Sequence, residues 1–435
     1  LSSDTSSANP LTALASTVYI PAAAYGIGMG AAAPVMTLAA LDLGAGVALA
    51  GLTVALVGLG QVLGDLQAGQ VVARLGERRS IIVASSVATV GVLVCIFAPT
   101  VWWLCGGILA VGLANSVWGL ARQNYLSLAV PFAWRARAMS LFGGAMRFGF
   151  FVGPLLGALA IWGLGVRGGF VVQLIAVIVS GALMARLPDP EGAGAVASPH
   201  SLRRVFADHR QLLSSLGAGS LLLGVARASR EAVLPLWAHH LGMSAATASL
   251  IFGIGAALDV ACSYPAGHLM DRFGRAFVAL PSIIILAVSY FAVPFTDNAI
   301  AFTVVAVVMG IGNGFGNGVI MTLGADIAPD TGRAEFLAAW RLTHDAGFLL
   351  GPLSISLVVA LVSLPVAIFT VSGLSGLGAG LLGRYIPRYA PRAGGKNASA
   401  RVQTGPGQRQ RWVEDCQREP PGSDWSRPRK RCPQA

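Results

Sequence analysis

The stretch Gly267-His268-Leu269-Met270-Asp271-Arg272-Phe273-Gly274-Arg275 separates two long apolar runs. Asp271, Arg272 and Arg275 cannot sit in hydrocarbon, so they hold this connection at a membrane face. Its glycines permit a sharp turn and close approach between the flanking segments. One earlier stretch repeats the pattern 198 residues upstream, where Gly69, Arg74 and Gly76 align with Gly267, Arg272 and Gly274. The same offset, without a gap, carries Arg135 onto Arg333, Gly149-Phe150 onto Gly347-Phe348, Gly153-Pro154 onto Gly351-Pro352 and Leu43-Gly44 onto Leu241-Gly242. A Gly/Ala-rich chain matches itself by chance, but not at one constant offset on these residue types. The chain reads as two homologous halves.

Composition bounds the class independently. Hydrophobic residues make up 55% of the chain and charged residues 11%, a balance foreign to a soluble domain. Lys and Arg outnumber Asp and Glu by 30 to 19, which alone would suggest a nucleic-acid partner. Their placement argues otherwise, because residues 387–435 hold eleven of the basic and four of the acidic residues. No nucleic-acid partner is expected. Cys95, Cys105 and Cys262 lie in apolar runs as small hydrophobes, and the cysteines show no metal or disulfide spacing. The histidines form no ligand cluster, so neither a metal nor a cofactor is expected. A helix-borne His/Glu zinc pair, a Gly-x-Ser-x-Gly elbow and a phosphate-cradling Gly-Lys-Ser/Thr loop are all missing from the sequence, which argues against an enzyme and against ATP-driven transport.

Apolar segments fall at about 12–41, 46–72, 81–99, 101–130, 139–162 and 168–187, then at 212–239, 245–270, 277–296, 298–325, 336–360 and 362–386. Each supplies the roughly 20 residues a spanning helix needs. The expectation is an all-α membrane protein with twelve transmembrane helices in two six-helix bundles, 12–187 and 212–386. A polar segment (1–11) precedes them, with no cleavable leader evident; the chain opens on Leu1 rather than Met, so the true start is expected upstream. A Pro/Gly-containing linker (188–211) joins the bundles, and the basic tail (387–435) has the composition of a disordered segment. Its run 427–431 could touch anionic headgroups, a solvated tail being the plainer reading. Short loops on one face carry Arg74, Arg78, Arg79, Arg135, Arg137, Arg186, Arg203, Arg204, Arg210, Arg272, Arg275 and Arg333, whereas the opposite loops hold only Arg167. The rich face is expected to be cytoplasmic, with both termini inside a bacterial cytoplasmic membrane.

The pattern Gly-x-x-x-Asp-Arg-x-Gly-Arg at 267–275 resembles the signature hairpin of the major facilitator superfamily, which joins the second and third helices of a six-helix half. The resemblance covers about residues 12–386. In the fifth segment, Gly149, Gly153, Pro154 and Gly157 form a small-residue ridge with a helix-bending proline. This ridge resembles the antiporter motif of exporting members, with Ser140 and Ala158 where that pattern has glycine; Gly347, Gly351 and Pro352 repeat part of it, as shared scaffold would. Arg122 resembles the membrane-embedded arginine of proton antiporters, with Tyr125-Leu126 where that motif has Gln-Gly. The run 310–316, rich in glycine, lies in an apolar segment and reads as close helix packing rather than a dinucleotide loop. Because Ala73 stands where the second half has Asp271, a carboxylate–arginine clamp is expected only there, between Asp271 and Arg333, with Glu77 left to serve Arg135.

Charges inside the apolar segments cost roughly 2.5–3.5 kcal/mol each on insertion scales and so mark sites by default. They are Asp65, Arg122, Arg147, Arg227, Arg230, Glu231, Asp259, Arg341 and Asp345. At the 198-residue offset only Arg147 against Asp345 is charged in both halves; Arg227 falls on Met29 and Asp259 on Gln61. Arg227/Glu231 and Arg341/Asp345 are spaced to pair along a helix, a structural reading for both. In the resembled family, segments one, four, seven and ten line the cavity, which adds Tyr25, Asn115, Trp118, Asn313 and Asn317 to the arginines as candidates. Glu231 is the expected proton carrier, held ionised by Arg227 beside Pro235, with Asp259, Asp345 and Asp65 as alternatives. The resemblance implies a monomeric secondary transporter of a small organic molecule, exporting it against proton entry. A proton-coupled or facilitative importer of a sugar or metabolite is the alternative, and a non-transporting membrane sensor or scaffold the alternative of another class.

Overall fold

The computed structural model describes residues 18–129, 132–186, 205, 207–329 and 333–389, and their regular structure is helical throughout. The principal helices are α1 (Ile20–Asp42), α2 (Val47–Ile96), α3 (Val101–Ala129), α4 (Phe132–Leu164), α5 (Gly168–Met184), α6 (Ala218–His240), α7 (Ala245–Phe273), α8 (Arg275–Ala292), α9 (Ala299–Phe315), α10 (Val319–Ile327), α11 (Arg333–Leu361) and α12 (Leu364–Tyr389). Among the described residues, ten helical stretches are long and apolar enough to cross a membrane, and α5 is a shorter apolar helix. Helices suit this role because every backbone polar group is satisfied within the segment. Trp102, Trp162, Ile300 and Leu361 are exposed, as side chains that meet lipid would be. The expected linker falls largely, and the tail almost wholly, outside the described residues, although α12 runs on to Tyr389.

At 50 residues α2 would extend about 75 Å if straight, more than twice the hydrocarbon thickness. Its backbone leaves the helix at Gly76, with φ at 76°. The counterpart Gly274, with φ at 93°, separates α7 from α8. Each signature connection is thus a one-residue break, narrower than a polar hairpin. The close approach expected of Gly69 and Gly267 is not seen: a Cβ on either meets nothing within 4 Å. Asp271 is mostly exposed and lies 3.8 Å from Arg275, one turn away, which in turn holds Asp326 at 2.7 Å. The clamp expected to Arg333 falls outside the described side chains, as does Arg135, while Arg74 and Arg272 are exposed.

The duplication persists to the level of single bonds. Leu43 N–H donates to Ala39 O and Gly44 N–H to Leu41 O; Leu241 N–H donates to Trp237 O and Gly242 N–H to His239 O, each pair 198 residues apart. A Cβ on Gly149 would lie 2.8 Å from Ile27 N, and one on Gly347 2.7 Å from Val225 N, again the same offset. Gly153 repeats the contact one turn on, 2.6 Å from Ala31 N. The fifth-segment ridge therefore seats α4 against α1, as Gly347 and Gly351 seat α11 against α6. Gly157 makes only ordinary contact, at 3.4 Å from Ala31 O.

Packing between the halves is one-sided. At the end bearing the arginine-poor loops, one apolar core joins Met36, Ala40 and Val54 to Trp237, Phe252 and Ile355. At the arginine-rich end each half has its own cluster, around Trp118 and Ile81 in the first and around Trp340 and Ile283 in the second. Arg167 ties the arginine-poor end together by donating to Ile96 O at 2.9 Å and Ala98 O at 3.0 Å, where α2 exposes its last carbonyls.

Three glycine variants separate these roles. Gly153→Leu should lower stability by about 2 kcal/mol or more, since backbone on α1 cannot yield to the side chain. Gly76→Ala should cost about 1 kcal/mol through its positive φ, while Gly69→Ala should stay within about 0.5 kcal/mol. Thermal unfolding of the purified variants in detergent reads all three.

Candidate functional site

The residues singled out from the sequence gather into three groups. The first lines a cavity of about 180 Å³ between the halves: Arg147 from α4, Arg227, Arg230 and Glu231 from α6, Asp259 from α7, and Asn313 and Asn317 beside the α9 terminus. Asn313 and Asn317 are four residues apart and so face the same side. Gly310 and Gly314 let α9 lie directly on α7; a Cβ on Gly314 would be 2.9 Å from the Cα of Asp259. The glycine run is thus the packing element expected, and it brings both amides to the carboxylate.

Those amides connect a guanidinium to a carboxylate. Arg227 Nε donates to Asn313 Oδ1 at 3.0 Å, and its Nη2 donates to Asn317 Oδ1. The Asn313 amide donates to Asp259 Oδ2, and the Asn317 amide to Asp259 Oδ1 and to Ser263 Oγ, the last at 2.7 Å. Arg227 Nη1 also donates to Gly316 O at 3.3 Å, a carbonyl presented where α9 ends before Gly318 turns the chain at φ 81°. Arg227 is therefore engaged at the α9 terminus, and only through the two amides by Asp259, and the expected Arg227–Glu231 ion pair is not formed. Three oxygens fitted to the planar fork outcompete one carboxylate a turn away. Arg230 is buried, 3.9 Å from Asp259 and 5.1 Å from the Phe252 ring, and its Nη1 has no hydrogen-bond partner. Among the described residues Glu231 and Arg147 make no hydrogen bond and no ion pair.

The second group lies within the first half. Tyr25 stacks on Trp118 with centroids 3.6 Å apart and donates to Asn115 Oδ1. Arg122 is held between Trp118, 4.3 Å away, and Phe142, 3.5 Å away. The third group comprises Asp65, which accepts from Ser116, and Asp345, which pairs with Arg341 at 3.2 Å as the spacing implied. Among the described residues no group of His, Cys, Asp and Glu could hold a metal. A larger cavity, about 620 Å³, sits on the outer wall of α2 and α3 beside exposed Val90, Trp102 and Trp103, where lipid belongs.

Sequence reasoning missed the apolar lining of the central cavity, Ala256 and Val260 and the two aromatic walls Phe150 and Phe348. For the two phenylalanines the signal was present, because both follow glycines matched across the halves. It was absorbed by the packing ridge.

Replacing Asp259 with Asn should destabilise the protein by about 3 kcal/mol, because Arg227 and Arg230 lose their shared counter-charge. Asp65→Asn, at an exposed position, should cost less than about 1 kcal/mol. Chemical unfolding of the variants in detergent gives the comparison.

The sequence profile of the Major Facilitator Superfamily matches residues 18–229 and again 216–430. A multi-drug resistance efflux pump PmrA homolog of Lactococcus lactis subsp. lactis (strain IL1403) is 23% identical over 318 residues, covering 70% of this chain and 76% of its own. Among solved structures, a bacterial homolog of the human lysosomal transporter Spinster, inward-facing and unoccupied, superposes with a TM-score of 0.72 at 14% identity, over 92% of this chain and all of that one. A D-xylose–proton symporter superposes with a TM-score of 0.68 at 15% identity, over 86% of this chain and 97% of that one. With matched profiles over both halves and spanning helices throughout, the chain is an integral membrane protein belonging to the Major Facilitator Superfamily of transporters.

Proposed function

We propose that this chain is a secondary active transporter that moves a small organic solute by alternating access and couples it to protons through Glu231. Its spans number twelve in this reading, with α2 supplying two crossings on either side of Gly76, α5 one, and α9 with α10 a single broken one. The halves form two six-helix bundles, 12–187 and 212–386, joined by a linker at 188–211. The arginine-rich end faces the cytoplasm of a bacterium with both termini inside, following the loop charges. One-sided core packing then corresponds to an inward-facing state, and a single chain is the working unit.

The observation that carries the coupling is the contrast between two carboxylates in one cavity. Asp259 is held by two amides and lies near Arg230, whereas Glu231 makes no hydrogen bond or ion pair among the described residues. Protonating Asp259 would disrupt two amide hydrogen bonds, whereas protonating Glu231 disrupts none among the described residues. Glu231 is therefore the residue that loads and unloads, and Asp259 the one that sets Arg227. The efflux-pump relative and the α4 ridge support export. The charge of the cavity favours a second reading, uptake: protonating Glu231 removes a negative charge and leaves the arginines to an anion, so proton and anion travel together.

In proteoliposomes with an imposed pH gradient, Glu231→Gln should lose gradient-driven accumulation of a substrate found by panel screening, while retaining substrate exchange. Full accumulation in that variant moves the proton site to Asp259, Asp345 or Asp65. The gradient polarity that drives accumulation in the wild type separates exchange from co-transport.

A further inference from the structure

The charges of the central cavity do not balance. Arg227 is joined to Asp259 through Asn313 and Asn317, which makes those four residues a neutral unit. Arg147 and Arg230, the latter 3.9 Å from the same Asp259, remain against the one further carboxylate of Glu231, so three guanidinium groups face two carboxylates. Neither arginine is saturated: Arg147 has no hydrogen bond or ion pair among the described residues, and Nη1 of Arg230, a residue only 2% exposed, has no hydrogen-bond partner. Leaving a buried guanidinium donor unmade costs free energy that a bound acceptor restores. The cavity is thus short by one negative charge and by acceptors for two guanidinium groups, one from each half of the molecule.

Its size and remaining wall narrow the class. At about 180 Å³ it slightly exceeds the roughly 150 Å³ cavity that holds a benzene molecule. Phe150, Phe348, Ala256 and Val260 supply apolar surface beside the polar groups. We propose that the transported solute is an organic monoanion with a compact, single-ring-sized apolar body, its carboxylate-type group bridging Arg147 and Arg230 and its body lying between Phe150 and Phe348. A carboxylate has the planar acceptor pair that a guanidinium fork matches. Because one arginine belongs to each half, the anion would hold the halves together at the cavity, as a substrate carried by alternating access requires. This inference rests on the transporter reading for its consequence, but its binding step stands apart from flux.

The test is calorimetric titration of the purified full chain in detergent with three probes of one shape: benzoate, benzyl alcohol and benzylammonium. Benzoate should bind saturably and at least roughly tenfold more tightly than either of the others, the difference expected for one charge-assisted hydrogen bond. Arg147→Gln should weaken benzoate binding roughly tenfold without lowering the melting temperature, since that side chain has no structural partner to lose. Arg147→Lys should recover part of the affinity, which a merely structural role would not produce. Absence of saturable benzoate binding, equal or tighter binding of benzyl alcohol or benzylammonium, or unchanged affinity in Arg147→Gln would each overturn the proposal. If benzoate binds as expected but neither benzoate nor any panel solute crosses a proteoliposome membrane, the transporter reading fails and the anion site stands. If benzylammonium is both bound and carried, the anion site fails and transport stands.

Discussion

Close contact between helix backbones is the constraint on which this structure depends. In a bilayer, lipid tails are as apolar as leucine, so helices gain nothing by hiding hydrophobic faces from one another. They associate where small residues let backbones touch. Gly149 and Gly153 seat α4 on α1, Gly347 and Gly351 seat α11 on α6, and Gly310 and Gly314 seat α9 on α7. These contacts leave no space for a Cβ, which makes the glycines a register for whole helices. Everything polar in the central cavity is positioned by that register.

The register is duplicated and the chemistry is not. Met29 accepts from the amide of Asn115 in the first half, while at the same two places in the second half Arg227 donates to Asn313. The pair of positions and their contact survive at the 198-residue offset, yet a thioether has become a guanidinium. Likewise Gln61 stands where Asp259 takes both amides. A scaffold of this kind can hold its geometry through glycine packing alone, which leaves the polar positions available to differ. The first half uses them for an aromatic box around Arg122, and the second for a hydrogen-bonded bridge from Arg227 to Asp259.

The bridge also separates the two opposite charges of the second half. Arg227 and Asp259 do not touch; two carboxamides, each with oxygen toward the arginine and nitrogen toward the aspartate, stand between them. Four groups thereby satisfy one another at fixed spacing, which is the condition under which buried polar networks persist. The side chains left over, Arg147, Arg230 and Glu231, face the cavity. Apolar packing between the halves gathers at the arginine-poor end, and these groups lie where the two halves meet.

The sequence by itself determined the class of the molecule, its two halves and most of the residues that carry charge into the bilayer. Composition and segment length suffice for the first. A constant offset suffices for the second, since a duplicated scaffold keeps its glycines wherever a backbone contact needs them. The third follows from the cost of placing a charge in hydrocarbon, which makes each such residue conspicuous. Partnership among those charges was decided only by the tertiary structure. Spacing along α6 pairs Arg227 with Glu231, but the fork of Arg227 finds three better-placed oxygens at and just beyond the end of α9, and Glu231 makes no hydrogen bond or ion pair among the described residues. Likewise, the signature connection contains two glycines, of which only Gly274 needs a positive φ and Gly267 lies in open space. Both outcomes turn on distances between segments remote in the chain, and local periodicity contains no term for them.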